Sequence, residues 1–78
     1  MNIYDEVMAV LRADPGREYS TSEITLAIWP EIENDRDARA NRRNAVNHTL
    51  RVAERYGVAT HTEHRRDNTR FFLWRAVA

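Results

Sequence analysis

Arginine and asparagine side chains recur between residues 36 and 51 of this sequence. If that segment is helical, Arg43, Asn44 and Asn47 fall on one polar arc. An arginine can pair through two hydrogen bonds with guanine, and an asparagine can do the same with adenine. We therefore predict that these three side chains contact base edges. Four neighbours are candidates for phosphate contacts on the same segment: Arg36, Arg39, His48 and Arg51.

A second group of arginines flanks a turn near the end of the chain. The polar run 65–69 begins with Arg65 and Arg66 and is followed by Arg70. It separates two segments of strand-like composition. Arginine at the tip of a hairpin suits a phosphate or a narrow minor groove. The alternatives are structural. The hairpin charges could protect a strand edge from aggregation, and the polar arc of residues 36–51 could be a solvated helix face. Asparagine argues against the latter, because it is a mediocre helix former.

The zero net charge hides an uneven distribution. The 78 residues carry 12 basic and 12 acidic side chains, and every basic side chain among them is arginine. Residues 1–35 have a net charge of −6, and residues 36–78 have a net charge of +6. Such asymmetry points to nucleic-acid contact by the basic half. The alternative is that the two halves fold against each other and neutralise their charges.

Several classes of site are excluded or disfavoured by composition. The chain has no cysteine, which excludes disulfides and thiolate sites. No apolar run approaches the roughly 20 residues of a membrane span, and the acidic start does not resemble a signal peptide. His61 and His64 are three apart in a predicted strand and should point to opposite faces, so we expect no metal site. We expect one cytoplasmic domain over residues 1–78 that is not an enzyme and uses no cofactor.

Local signals predict three helices. Apolar spacing predicts a first helix over residues 2–13, capped by Asn2 and stopped by Pro15 and Gly16. Ser20 and Glu23 form a capping box that opens a helix of about eight residues, stopped by Pro30. The longest helix should span residues 36–56, with Asn34 or Asp35 as its cap and Gly57 at its end. Arg42 falls on the apolar side of this helix, so either the helix starts later or the arginine stem packs while its head reaches solvent.

The remaining residues predict a β-hairpin with strands over residues 58–63 and 70–75. The second strand is apolar on both sides. We predict that Phe71 and Leu73 fill the core, while Phe72 and Trp74 cover the domain edge or meet a protein partner. The alternative is that these aromatics lie under the C-terminus.

Three stretches carry a resemblance to a known family: residues 19–24, residues 43–58 and residues 66–71. They are similar to the first helix of a helix-turn-helix, to a recognition helix leading into a wing, and to a wing tip. In this order they resemble the winged helix-turn-helix family, although the connection after Trp29 is longer than the tight turn of the simplest members. The resemblance implies an α+β, mainly α fold with three helices and a two-stranded wing.

The same resemblance implies a small regulator of transcription or replication that binds double-stranded DNA. Its third helix would read the major groove, and its wing would contact phosphate or the minor groove. One such module buries only about 600–1,000 Å² on DNA, so a homodimer or a protein partner is expected. The alternative is a protein-interaction winged helix within a larger complex, with Phe72 and Trp74 or the acidic first helix as its contact. RNA binding is a third possibility.

Overall fold

Each helix begins at a side chain that caps its first turn. The computed structural model describes residues 2–77 and contains α1 (Ile3–Ala13), α2 (Thr21–Ile28) and α3 (Arg36–Arg55). The Asp5 amide donates to Asn2 Oδ1 at 2.9 Å. Both bonds of the predicted capping box are present between Ser20 and Glu23, each at 3.0 Å. The three predicted helices are therefore confirmed.

The connection between α2 and α3 is ordered by a short 3₁₀ turn, Pro30–Ile32. The Asp35 amide donates to the Ile32 carbonyl at 2.9 Å, and Asp35 Oδ1 accepts from the Ala38 amide at 3.1 Å. The cap of α3 is thus Asp35. The helix starts at Arg36 without delay, and the Arg42 guanidinium lies 4.8 Å from the centroid of the Trp29 ring. The helix therefore does not start later. Arg42 is exposed, and its guanidinium lies over the Trp29 ring at the edge of the core.

Gly57 ends α3 in the left-handed conformation that the sequence predicts, with φ of +76°. Its amide donates to the Glu54 carbonyl at 3.0 Å, and the Val58 amide donates to the Ala53 carbonyl at 3.1 Å. This pair of bonds is a Schellman motif, which satisfies carbonyls that the helix end leaves unpaired. It also turns the chain directly into the hairpin.

The hairpin consists of β1 (Ala59–Arg66) and β2 (Thr69–Ala76). Its turn is tighter than the predicted run 65–69, because only Asp67 and Asn68 lie outside the strands. Both have positive φ, 51° and 66°, as the two central residues of a type I′ turn require. Asparagine and aspartate tolerate this conformation better than other residues with side chains. Arg65, Arg66 and Arg70 therefore belong to the strands.

Directly opposed residues of the antiparallel pair share a face of the sheet. The face turned towards the helices, here called the inner face, carries Ala59, His61, Glu63, Arg65, Arg70, Phe72, Trp74 and Ala76. The outer face carries Thr60, Thr62, His64, Arg66, Thr69, Phe71, Leu73 and Arg75.

The predicted packing of β2 is wrong. Trp74 is completely buried and Phe72 packs against the core, whereas Phe71 and Leu73 lie on the outer face. Tyr19 sets this orientation. Its amide donates to the Trp74 carbonyl at 2.8 Å, and the Trp74 amide donates to the Tyr19 carbonyl at 2.7 Å. This bridge places both rings on the same side of β2, and the period-two alternation of a strand fixes the rest.

The core lies where the inner face meets all three helices. Its buried apolar residues are Val7, Met8, Leu11, Tyr19, Ile24, Val46, Leu50, Ala53, Ala59, Trp74 and Ala76. Three helices followed by an antiparallel hairpin give the predicted α+β, mainly helical, winged-helix layout. Within residues 2–77, no helix combines the length and apolar character needed to cross a bilayer.

Candidate nucleic-acid interface

The polar side of α3 is free of the core, as predicted. The buried side of the helix carries Val46, Thr49, Leu50 and Ala53. Arg43, Asn44 and Asn47, the predicted base contacts, are all exposed, and so is His48. At about 100° per residue, Asn44 and His48 lie further round the helix from the core than Arg43 and Asn47 do. The arc is therefore accessible over residues 43–48, in the middle of α3.

Arg36, Arg39 and Arg43 converge on one cleft between α2 and α3. The cleft has a volume of about 440 Å³, and its other lining residues are Ser22, Thr25, Leu26 and Ala40. The spacing of the three arginines, i, i+3 and i+7, keeps them on one side of α3. The structure thus brings together a predicted base contact, Arg43, and two predicted phosphate contacts.

The three arginines near the tip of the hairpin, here called the wing, are divided between the two faces of the sheet. Arg65 is the register partner of Arg70 on the inner face, whereas Arg66 lies opposite Thr69 on the outer face. Arg70 Nε lies 3.6 Å from Glu63 Oε1, and its Cζ is 5.7 Å from the Phe72 ring centroid. The wing therefore presents positive charge in two directions.

Arg51 joins α3 to the hairpin. Its Cζ lies 5.7 Å from the ring centroids of both Phe72 and Trp74, and Nη1 lies 3.9 Å from Glu54 Oε1. The side chain still exposes 44% of its surface. Arg51 and Arg70 approach the same half-buried ring of Phe72, so an arginine of the helix and an arginine of the hairpin meet there, each with one glutamate within 4.0 Å.

The acids of the N-terminal half do not pair with these arginines. Within residues 2–77, no carboxylate of residues 2–35 lies within 4.0 Å of an arginine nitrogen of residues 36–77. Glu23 contacts Arg17 at 3.7 Å, inside its own half. The two halves therefore do not neutralise each other through direct ion pairs between carboxylates and arginines, which was the structural alternative to nucleic-acid contact.

His61 and His64 lie on opposite faces of β1, as predicted. His61 Nδ1 is 2.6 Å from Glu54 Oε2, and its ring centroid is 4.6 Å from that of Trp74. His64 stacks on Phe71 at 5.5 Å. In the described part of the chain, no group of three His, Cys, Asp or Glu residues is placed to hold a metal ion.

Sequence reasoning missed two parts of this surface. It gave no role to Ser22 and Leu26 of α2, because the crossing of α2 over α3 is a tertiary feature without a local signal. It also placed Phe72 at the domain edge or against a protein partner, whereas the ring packs against the core and lies near Arg51 and Arg70. Because β2 carries apolar residues on both faces, the sequence alone does not indicate that the face with Phe72 is the inner one.

Comparison with protein-family models, with curated proteins and with solved structures yields no match for this chain. A functional assignment therefore rests on the geometry and charge of its own residues.

Proposed function

We propose that this chain is a DNA-binding winged-helix protein that acts as a small regulator of transcription or replication. In this proposal, the polar side of α3 enters the major groove of double-stranded DNA. Arg65, Arg66 and Arg70 near the tip of the wing contact phosphates and the edge of the minor groove. The proposal includes a cytoplasmic location and a homodimer or a second bound module, because one module offers a small interface.

One observation carries the proposal most directly. Of the arginines in residues 36–77, only Arg51 and Arg70 lie within 4.0 Å of a described carboxylate, and both partners are acids of the same basic half. Among the acids of residues 2–35, only Glu18 lies within 4.0 Å of a basic side chain of residues 36–77, with its Oε2 3.6 Å from His64 Nε2, and none of them contacts an arginine of α3 or the hairpin. A continuous positive surface on α3 and the wing is what phosphate contact requires, because counterions released from DNA supply most of the non-specific affinity.

The side chains of α3 and of the wing suit different parts of the DNA. Asn44 and Asn47 are exposed amides on the central turns of α3, where they can pair with adenine. Arg43 can reach guanine or the backbone, depending on how deeply the helix enters the groove. Arg66 and the pair formed by Arg65 and Arg70 lie on opposite faces of one narrow hairpin, so they can contact phosphates on both sides of the wing.

Fluorescence anisotropy at low salt with three labelled probes tests the proposal. We expect duplex B-form DNA to bind more tightly than duplex RNA or single-stranded DNA of the same length, because a helix fits the wide major groove of B-DNA. Absence of binding to any duplex in low salt would contradict the proposal. Preference for an A-form duplex would replace DNA with RNA as the partner.

A protein-interaction module is the second candidate, and it is favoured by a different surface from the one the sequence predicts. Trp74 is buried and cannot be its contact. Instead, Tyr56 exposes 74% of its surface and Val77 exposes 46%. The backbone joins the two regions, since the Val77 amide donates at 3.0 Å to the carbonyl of Val58, which is two residues after Tyr56. A stoichiometric protein partner that is lost on Tyr56→Ser, together with no DNA binding, would favour this candidate.

A further inference from the structure

The cleft between α2 and α3 has the dimensions of a small-ligand site. Its volume of about 440 Å³ falls within the range of roughly 300–1,000 Å³ that is usual for ligand pockets. Arginines of α3 form one wall, and Ser22 and Leu26 of α2 form the other. The site is therefore bounded by two helices rather than spread over an open surface.

The charges in this cleft are unbalanced. Arg36, Arg39 and Arg43 line it, and within residues 2–77 none of them has a carboxylate oxygen within 4.0 Å. Arg36 also occupies the first position of α3, where the positive end of the helix dipole disfavours a cation. Asp35 caps this helix start and Asp37 lies in its first turn, but neither carboxylate is within 4.0 Å of the three guanidinium groups, so a bound anion would lower the free energy of the cleft.

The nearest acid of α2 is held away from the cleft. Glu23 follows Ser22, yet its Oε1 accepts from the Ser20 amide at 3.0 Å and its Oε2 lies 3.7 Å from Arg17. The capping box thus holds the carboxylate at the start of α2, and Glu23 does not line the cleft. As a result, the cleft keeps its positive charge although an acid lies next to one of its lining residues.

The other lining residues indicate what kind of anion would fit. The Thr25 hydroxyl is already engaged, since it donates to the Thr21 carbonyl at 2.8 Å. Ser22 is exposed and has a hydroxyl to offer, while Leu26 and Ala40 add an apolar wall. The planar donors of guanidinium groups match phosphate oxygens in pairs. Several such groups side by side suit adjacent phosphates.

We propose that this cleft binds a small molecule carrying two or more phosphate groups, such as a nucleoside diphosphate. We further propose that an occupied cleft weakens DNA binding, because the same arginines then no longer face backbone phosphates. This second step rests on the proposed function, whereas binding of the small ligand does not. A backbone phosphate of DNA offers the same chemistry, so the test must distinguish the two sources.

Titration of the protein alone with inorganic pyrophosphate and with adenosine diphosphate, followed by calorimetry at constant ionic strength, tests the first step. We expect saturable binding that weakens about tenfold in Arg39→Gln, since a lost charge-assisted hydrogen bond has about that effect. Arg12→Gln removes an exposed arginine of α1 and is the matched control, with unchanged binding. Absence of saturation, or equal losses in both variants, would overturn the proposed site.

Adding pyrophosphate to the complex with duplex DNA tests the second step. We expect release of DNA from the wild-type protein at concentrations that fill the cleft, with chloride at the same ionic strength as the reference. Pyrophosphate binding without any DNA binding would contradict the proposed function and leave the ligand site standing. DNA binding without saturable pyrophosphate binding would overturn the ligand site alone and assign the cleft to backbone phosphate.

Discussion

Arg65 of β1 stands directly opposite Arg70 of β2 on the inner face of the hairpin, one residue pair away from the two-residue turn. Like charges at directly opposed positions destabilise an antiparallel pair. Glu63 lies 3.6 Å from Arg70 and relieves part of this repulsion, while Arg65 has no such contact in the described residues. The repulsion between Arg65 and Arg70 is therefore only partly relieved, and it lies where the proposed function places a DNA phosphate.

Replacing Arg65 should change the stability of the fold and the affinity for DNA in opposite directions. We expect Arg65→Thr to raise the free energy of unfolding by about 0.2–1 kcal/mol, because threonine suits a strand and the repulsion disappears. The same change should weaken DNA binding. Urea unfolding and anisotropy measure the two effects. Arg75→Thr is the control for both measurements, because Arg75 lies opposite Thr60 on the outer face and has no arginine directly across from it. A less stable Arg65→Thr that binds DNA like the wild type would refute the assignment.

Base preference should depend on the amides of α3. We expect Asn47→Ala to lose about 1–3 kcal/mol of discrimination at one base position. Selection from randomised duplexes, followed by affinity measurements on the selected sequence, detects this loss. Asn41→Ala is the matched control, since Asn41 is exposed on the same helix but lies further from the cleft side. If both variants retain the wild-type preference, Asn47 is not a base contact.

Arg66 should behave differently from Asn47. It lies on the outer face of the wing beside the turn, and we assign it to phosphate. We expect Arg66→Ala to weaken binding to all duplex sequences alike and to reduce the salt slope by about 1. A change in which sequences are preferred, rather than in overall affinity, would contradict a phosphate role.

The orientation of β2 makes a direct prediction for stability. Trp74→Ala should destabilise the fold by about 3–5 kcal/mol, because a completely buried ring leaves a cavity. In so small a domain this removes most of the stability, so we expect loss of the cooperative thermal transition. Phe71→Ala, on the outer face, should retain that transition with a modest decrease in its midpoint. The reverse order would contradict the packing described above.

Gly57 should be replaceable only by residues that accept a left-handed backbone. A Cβ at this position would meet no atom within 4 Å, so the penalty of Gly57→Ala is conformational, about 1 kcal/mol. Gly57→Asn should lose less, because asparagine visits this region more readily. Chemical denaturation of both variants compares them. Equal stability of the alanine variant and the wild type would show that the Schellman motif is dispensable.

The sequence was sufficient for features that depend on neighbouring residues. Asn2, Ser20 with Glu23, Pro30 and Gly57 each mark a helix end through backbone chemistry within a few residues, and all are found in those roles. The split of His61 and His64 between faces followed from strand alternation in the same way.

Features set by distant contacts could not be predicted. β2 has apolar residues on both faces, so the choice of Trp74 as a core residue depended on its backbone bridge to Tyr19. The cleft depended on the crossing of α2 and α3, which brings Ser22 near Arg39 and Arg43. The position of Arg42 depends on its contact with the ring of Trp29, and the whole connection between α2 and α3 separates these two residues in the sequence.

The salt dependence of duplex DNA affinity tests the central claim most directly. We expect log Kd of the wild-type protein to rise linearly with log salt, with a slope of about 0.9 for each phosphate contacted. The double variant Arg39→Gln, Arg70→Gln should lower that slope by about 1.8, since it removes one phosphate contact of α3 and one of the hairpin. A flat dependence for the wild type, or the same slope for both proteins, would contradict a DNA interface built from the arginines of α3 and the hairpin.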